Sequence, residues 1–111
     1  MAELTGGQVR SFTVTPEEAG IARADPEQLR GGTPEGNARA LRAVLEGTPG
    51  AYRDIVVMNA AAALIVAGRA GTLTEGAAMA AESIDSGRAR RTLDALTSLS
   101  RDSAATLKAR P

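Results

Sequence analysis

The pattern of apolar and polar positions predicts a short β-hairpin at the start of the chain. Gly6-Gly7 lies between two extended runs around Leu4 and Val9, which is typical of a two-residue hairpin turn. The second run, residues 9–15, is rich in β-branched residues and is predicted to be a strand. Pro16 ends this strand, because proline has no N–H to donate to a ladder.

Two helix starts follow, each marked by a capping residue and a proline. Residues 17–24 are predicted to form a loop or a short turn. Asp25-Pro26 predicts a brief helix through Arg30, with Asp25 as its N-cap. Thr33-Pro34 predicts a longer amphipathic helix that ends at Gly47. Its apolar positions recur at helical spacing: Ala38, Leu41, Val44 and Leu45.

The longest apolar stretch, residues 55–67, predicts a core helix. It has 13 residues, interrupted only by Asn59, whereas a membrane span needs about 20. We expect Asp54 to cap this helix. Because it is apolar on nearly every face, we expect it to be central and covered on several sides. The alanines at 60–63 would allow close approach of its neighbours.

Two further helices complete the predicted fold. Thr72 and Glu75 have the spacing of a capping box. The helix they open carries Ala77, Ala80, Ala81 and Ile84, and it is broken at Ser86-Gly87. A last amphipathic helix carries Ala89, Leu93, Leu96 and Leu99, and residues 101–111 are predicted to fray.

The predicted fold class is therefore α+β, with a hairpin followed by four or five helices. A two-stranded hairpin alone is marginal in water, so we expect these strands to be the edge of a larger sheet. The core should be thin, because the chain is rich in alanine and its only aromatic residues are Phe12 and Tyr52. We expect marginal stability in isolation, or a partner surface that supplies the missing burial.

Two absences exclude several classes of chemistry. Without Cys there is neither a disulfide framework nor a thiolate metal site. Without His the chain lacks the usual general base and imidazole metal ligands. The first residues have no apolar signal-peptide region, and we expect a cytoplasmic protein.

The formal charge is zero overall but unevenly distributed. Residues 1–87 carry seven positive and eleven negative side chains, while residues 88–111 carry six positive and two negative. Arg88, Arg90 and Arg91 cluster at the start of the last helix, where positive charge opposes the helix dipole. Bound phosphate would relieve this, and so would water or the nearby residues Asp85 and Asp94. A solvated surface is favoured, because no aromatic residues interleave for base stacking.

Three other features have a structural and a functional interpretation. The glycine-rich loop at 31–37 precedes a helix and offers N–H groups to a phosphate, but no Lys follows and Glu35 would oppose an anion. Ordinary capping is favoured. Asn59 is either a ligand-orienting amide or, as we favour, a buried amide bonded to a neighbouring backbone.

The close carboxylates are the pair Glu17-Glu18 and the pair Glu82 and Asp85. Carboxylates so placed can hold Mg²⁺ together with substrate phosphates, but no phosphate loop accompanies them. A surface position is favoured. We therefore assign no catalytic, cofactor-binding or metal-binding residue.

Four blocks of sequence, in order and spacing, resemble the C-terminal region of anthranilate phosphoribosyltransferases. The longest is RDIVVMNAAAALIVAGRAGTLTEGAAMAAESIDSG at 53–87. The others are ELTGGQV at 3–9, FTVTPEEAGI at 12–21 and LRGGTPEGNARALRAVLEG at 29–47. The resemblance covers about residues 3–100, with residues 101–111 outside it.

The resemblance implies a larger, homodimeric enzyme of tryptophan biosynthesis. Such enzymes transfer phosphoribosyl from phosphoribosyl pyrophosphate to anthranilate with Mg²⁺ as cofactor. Residues 1–100 would form the C-terminal portion of a large α/β domain of the nucleoside-phosphorylase-like class. The resemblance also implies that the family's glycine-rich pyrophosphate loop and Asp-Glu metal pair lie before the region that this segment resembles. Neither motif occurs in this sequence.

The isolated chain is accordingly predicted to be an inactive scaffold whose partner is the remainder of the enzyme. Neither nucleic acid nor a membrane is an expected partner. The alternative is a stand-alone helical interaction module that binds an anionic partner through its basic last helix.

Overall fold

The chain forms one hairpin followed by helices, in a computed structural model that describes residues 1–109. This order confirms the predicted α+β fold class. The strands are β1 (Ala2–Thr5) and β2 (Gln8–Ser11), followed by 3₁₀ helices at Pro16–Ala19 and Pro26–Leu29. The α-helices are α1 (Pro34–Leu45), α2 (Ala51–Val66), α3 (Leu73–Asp85) and α4 (Arg88–Ala109).

The predicted hairpin is confirmed, with Gly6-Gly7 as its two-residue turn. Both glycines have positive φ, 59° and 78°, as a turn that matches the twist of the flanking strands requires. The strands are antiparallel, with Leu4 opposite Val9. β2 ends at Ser11 and not at residue 15 as predicted, because residues 13–15 have no strand beside them in the described chain.

Side-chain caps begin the helices at three of the predicted positions. Asp25 accepts a hydrogen bond from the Glu27 N–H at 3.0 Å, and Thr33 accepts one from Gly36 at 3.1 Å. At α3, Thr72 accepts from the backbone of Glu75 at 3.1 Å. The carboxylate of Glu75 does not return to Thr72 but accepts from the preceding N–H, that of Gly71, at 2.8 Å.

The predicted cap of α2 is wrong. The helix begins at Ala51, four residues before the predicted start at Ile55, and its N-cap is Gly50. Asp54 lies within the first turn, where its N–H donates to the Gly50 carbonyl at 3.0 Å. At this position its negative carboxylate interacts favourably with the positive end of the helix dipole.

The core is thin, as the composition predicts. The buried hydrophobic residues are Ala19, Val44, Val57, Ala61, Ala77, Ala80 and Ile84, so four of these seven are alanine. Alanine removes little apolar area from water, and tight packing must supply what side-chain size does not.

The closest packing in this core lies between α2 and α3. Ala61 of α2 is fully buried, and Gly76 of α3 lies directly against it. A Cβ placed on Gly76 would lie 2.8 Å from both the Cα and the carbonyl oxygen of Ala61. The small residues therefore allow the two helix backbones to touch, as the alanines at 60–63 predict.

The expectation that α2 is covered on several sides is confirmed, although one of its faces stays open. The helix contacts α1, α3 and both 3₁₀ helices. Val66 nevertheless remains 90% exposed, and Ile55 and Val56 remain more than a third exposed. Apolar side chains on this face of α2 are therefore partly open to solvent.

The last helix extends into the segment that is predicted to fray. α4 continues through Ala109. Residues 101–109 contain neither Gly nor Pro, and the helix formers Ala, Leu and Lys continue the helix. Every side chain from 98 to 108 is exposed, and fraying in solution stays a prediction. Residues 110 and 111 lie outside the described chain.

Replacing Gly76 with alanine is expected to destabilise the fold. An alanine in a helix interior is normally about 1 kcal/mol better than glycine. Here the added methyl meets backbone atoms at 2.8 Å, and overpacking of this kind costs roughly 1–3 kcal/mol. Thermal unfolding followed by far-UV circular dichroism should give a lower Tm for Gly76→Ala than for the unmodified chain.

Gly32→Ala is the matched control, because a Cβ there meets nothing within 4 Å. Its Tm should stay close to that of the unmodified chain. An equal or higher Tm for Gly76→Ala would show that the two helices do not approach this closely.

Candidate functional site

The glycine-rich loop at 31–37 uses its N–H groups for capping. The Asn37 side chain accepts from the Gly32 N–H at 2.9 Å and donates to the Gly32 carbonyl at 3.2 Å. The Thr33 hydroxyl accepts a hydrogen bond from the N–H of Gly36. The Tyr52 hydroxyl donates to the carbonyl of Arg30 and so holds the start of the loop against α2. These contacts favour the structural interpretation of the loop over phosphate binding.

Asn59 is bonded to backbone as predicted, but it is not buried. Its side-chain nitrogen donates to the carbonyl of Ile55, one turn earlier, at 3.0 Å. The residue is exposed because it lies on the uncovered face of α2. The expectation of a buried amide is therefore wrong, because the face of α2 that carries Asn59 is open to solvent.

The carboxylates of the first candidate metal pair, Glu17-Glu18, are directed to different partners. Glu17 forms an ion pair with Arg23 at 3.2 Å. A hydrogen bond from its own backbone and the Arg23 guanidinium lower the pKa of Glu17. Glu18 accepts from the Thr15 N–H at 2.6 Å and so caps the first 3₁₀ helix.

The second pair is divided in the same way. Glu82 lies 3.6 Å from Arg88, whereas Asp85 pairs with Arg53. Within residues 1–109, no three His, Cys, Asp or Glu side chains converge as metal ligands. In both candidate pairs, each carboxylate thus has an arginine or a backbone N–H as its partner.

The ion pair between Arg53 and Asp85 joins two helices. Both guanidinium Nη atoms donate to the carboxylate, at 2.8 and 3.0 Å, and fasten the start of α2 to the end of α3. The Arg53 side chain is 17% exposed and that of Asp85 is 57% exposed. Hydrogen bonds from Arg53 lower the pKa of Asp85, and those bonds in turn raise the pKa of Arg53. This geometry joins the two helices and gives both side chains a partner.

The arginine cluster of α4 lies on exposed surface. Arg88 is paired with Glu82, and Arg90 lies 3.9 Å from Glu46. The suggested partners Asp85 and Asp94 are not the ones used. Because both arginine side chains remain more than half exposed, the geometry agrees with a solvated surface.

The surface grooves are lined mainly by apolar side chains. One of about 750 Å³ lies between α2, α3 and the start of α4. It contains Val56, Leu64 and Met79, with Arg69, Glu82 and Arg88 as its charged residues. A second, about 450 Å³, lies between the hairpin and the end of α2. This second groove could not be predicted from the sequence. The spacing of apolar residues predicts strands and helices, but it does not give the distance between a hairpin and a helix.

The helices offer no membrane span. None in the described chain has both the length and the hydrophobicity needed to cross a bilayer.

Residues 1–90 match a protein family described as "Glycosyl transferase family, a/b domain". The chain belongs to this family. The match covers the hairpin, α1, α2 and α3 and ends within the first residues of α4.

Curated relatives of this glycosyl transferase segment are named anthranilate phosphoribosyltransferase, which confirms the resemblance. The protein of Parvibaculum lavamentivorans is 61% identical over 93 residues, covering 84% of this chain and 27% of the relative. That of Mesorhizobium japonicum is 56% identical over 100 residues, covering 90% and 30%. The chain thus spans less than a third of the length of these relatives.

The ion pair between α2 and α3 makes the stability of the segment depend on pH. Because the folded-state pKa of Asp85 is lowered, its contribution is complete above the unfolded value of about 4 and is lost as pH falls through the folded value. The Tm difference between the unmodified chain and Asp85→Asn should therefore be present at pH 6 and shrink towards pH 2.5.

Asp94→Asn is the control, because Asp94 lies on the exposed face of α4 outside this pair. Its Tm should follow that of the unmodified chain at every pH. A Tm difference for Asp85→Asn that stays constant with pH would contradict this prediction, because it would mean that the pKa of Asp85 does not differ between the folded and unfolded states.

Proposed function

We propose that this segment is the C-terminal scaffold of an enzyme that transfers phosphoribosyl from phosphoribosyl pyrophosphate to anthranilate. The observation that carries the proposal is the 53–61% identity to relatives named for that activity. Identity of this level extends over 80–90% of the chain.

The chemistry of the transfer supports a scaffold role for these residues. Phosphoribosyl transfer requires a clamp for the departing pyrophosphate and cations to balance its charge. The four carboxylates of the two candidate pairs are paired with arginines or used as a cap, and the loop amides at 32 and 36 accept no further partner because Asn37 and Thr33 already bind them. The reacting groups would then come from the larger remainder of the enzyme.

The remaining expectations are part of the same proposal. The Mg²⁺ would be held by residues outside this segment, and the large domain would be of the nucleoside-phosphorylase-like class. The complete enzyme would be a cytoplasmic homodimer that acts in tryptophan biosynthesis and binds neither nucleic acid nor membranes. The stand-alone interaction module is not favoured, because residues 1–90 already match a glycosyl transferase domain.

The segment is expected to support activity only within a complete enzyme. Alone, it should give no turnover of anthranilate with phosphoribosyl pyrophosphate and Mg²⁺. A chimera is the sharper test: in the Parvibaculum lavamentivorans enzyme, the matching 93 residues are replaced by those of this chain. Its kcat/KM, followed by the loss of anthranilate fluorescence, should stay within about tenfold of the parent enzyme, since tenfold is only about 1.4 kcal/mol.

The parent enzyme and the same enzyme without the 93 residues are the two controls, active and inactive. Turnover by the isolated segment would overturn the scaffold proposal. A chimera that is folded and dimeric but inactive would show that these residues do not serve an anthranilate phosphoribosyltransferase.

A further inference from the structure

The last helix extends well beyond the helical core. α4 has 22 residues, which is about 33 Å at 1.5 Å per residue, and among the described elements it contacts α1 and α3. Every residue from 98 to 108 is exposed. The radius of gyration of the chain is 16.9 Å, against about 13 Å for a compact chain of roughly 100 residues. The outer part of α4 is therefore an arm for which residues 1–109 supply no packing surface.

This arm has an apolar face, formed by Leu96, Leu99 and Leu107 and called here the leucine face. The three side chains are 61–66% exposed. With 3.6 residues per turn, they lie within about 80° of one another around the helix. In proteins most helical stability comes from the packing of such a face and not from the intrinsic preferences of the residues. The arm is therefore expected to be a stable helix when a partner covers the leucines, and to fray when nothing does.

A groove on the same chain matches the leucine face in length and character. It is the mainly apolar groove of about 750 Å³ between α2, α3 and the start of α4, called here the α2–α3 groove. Along α2 its lining runs from Val56 to Ala67, a distance of about 17 Å at the rise of an α-helix. Leu96 and Leu107 are separated by the same number of residues, and so by the same distance of about 17 Å. An apolar helix face laid in an apolar groove is a recurrent mode of recognition.

The α2–α3 groove carries a positive charge that has no partner within residues 1–109. Arg69 follows the end of α2 and Arg88 follows the end of α3, and because these helices are antiparallel the two arginines lie at opposite ends of the groove. Arg88 is paired with Glu82, whereas Arg69 forms no ion pair in the described chain. In the groove beside the hairpin, by contrast, the charged residues Glu3 and Arg10 pair with each other. Of these two grooves, the α2–α3 groove is therefore the one that suits an acidic helix.

The arm has an acidic side chain in the matching place. Asp102 lies about 60° from Leu99 around α4, whereas Asp94 lies about 140° from it. Asp102 thus borders the leucine face, and Asp94 points away from it. Asp102 is also close to midway between Leu96 and Leu107, so a leucine face laid in the groove would bring its carboxylate between the two arginines.

We propose that two copies of this chain dimerise, each laying its leucine face in the α2–α3 groove of the other. The leucine face does not lie in the groove of its own chain, where Arg88 and Ala89 are the α4 residues of the lining. Each copy supplies one arm and one groove, so a two-fold arrangement uses both contacts and closes at the dimer. The inference concerns the 111-residue chain and not the homodimer expected of the complete enzyme. It does not rest on the proposed function, because the family match ends at residue 90, before the leucine face begins.

Light scattering during gel filtration of the 111-residue chain, over a range of concentrations, measures this association. We expect twice the mass of one chain at high concentration and the mass of one chain on dilution, with a loss of far-UV ellipticity as the released arms fray. Leu99→Ser should raise the concentration at the midpoint by about tenfold or more, because each dimer loses two buried leucines. Leu4→Ser is the matched control: Leu4 is as exposed, at 71%, but lies on the hairpin outside the arm and the groove. Its midpoint should equal that of the unmodified chain.

A charge exchange tests whether the arm lies in the α2–α3 groove. Arg69→Asp and Asp102→Arg should each weaken the dimer, because each places like charges together. A chain that carries both substitutions restores the opposite charges and should dimerise more strongly than either single variant. Both side chains are exposed, so neither substitution disturbs the core of the fold.

Three results would overturn the inference. A chain that stays monomeric at every concentration would leave the α2–α3 groove to the remainder of the enzyme. A dimer that Leu4→Ser dissociates and Leu99→Ser does not would assign self-association to the hairpin. A dimer that Leu99→Ser dissociates, but that the charge variants leave unchanged, would place the two leucine faces against each other and not in the grooves. None of these results bears on the proposed function, which the activity of the chimera tests separately.

Discussion

The contact of Gly76 with Ala61 constrains the segment more than any other single interaction. With a would-be Cβ at 2.8 Å from main-chain atoms, α3 can lie against α2 only if position 76 has no side chain. The crossing brings Ala77, Ala80 and Ile84 of α3 into the core. It also sets the separation across which Arg53 reaches Asp85 at the end of the same helix pair. A backbone contact and a charge-assisted pair thus fix one helix against the other.

The small side chains of the core affect the surface of the segment. A core with four alanines among seven buried hydrophobic residues leaves larger apolar side chains, such as Val66 and Leu4, facing outward. Burial of apolar area is the main favourable term in folding, so a segment that leaves it unused is poorly stabilised on its own. The same exposed surface becomes favourable once further polypeptide covers it. A scaffold within a larger enzyme has this balance, whereas a stand-alone module would need to cover its apolar faces itself.

Local patterns predicted local structure well. The glycine turn, the caps Asp25, Thr33 and Thr72 and the order of the elements all follow from short-range chemistry that the sequence contains directly. The cap expected at Asp54 was a local error, because the helix begins at Ala51. Two other errors have a different origin. The burial of Asn59 and the length of β2 each depend on which neighbours lie beside an element, and these neighbours are not encoded within its own residues. The 450 Å³ groove escaped prediction for the same reason. Prediction of the candidate site was limited for a further reason. Whether a carboxylate is already paired depends on which arginine lies beside it in space, and the sequence does not show this.

The two ends of α2 are held in different ways. At its start, Arg53 and Tyr52 attach the helix to the end of α3 and to the loop before α1. At its end, Ile65 and Val66 line the open groove beside the hairpin, and Val66 is 90% exposed. Polar contacts are directional and fix the start of the helix at particular atoms, whereas apolar burial is roughly proportional to the area removed from water. The start of α2 is therefore fixed by residues of this segment, whereas the apolar surface at its end is left uncovered by the described residues.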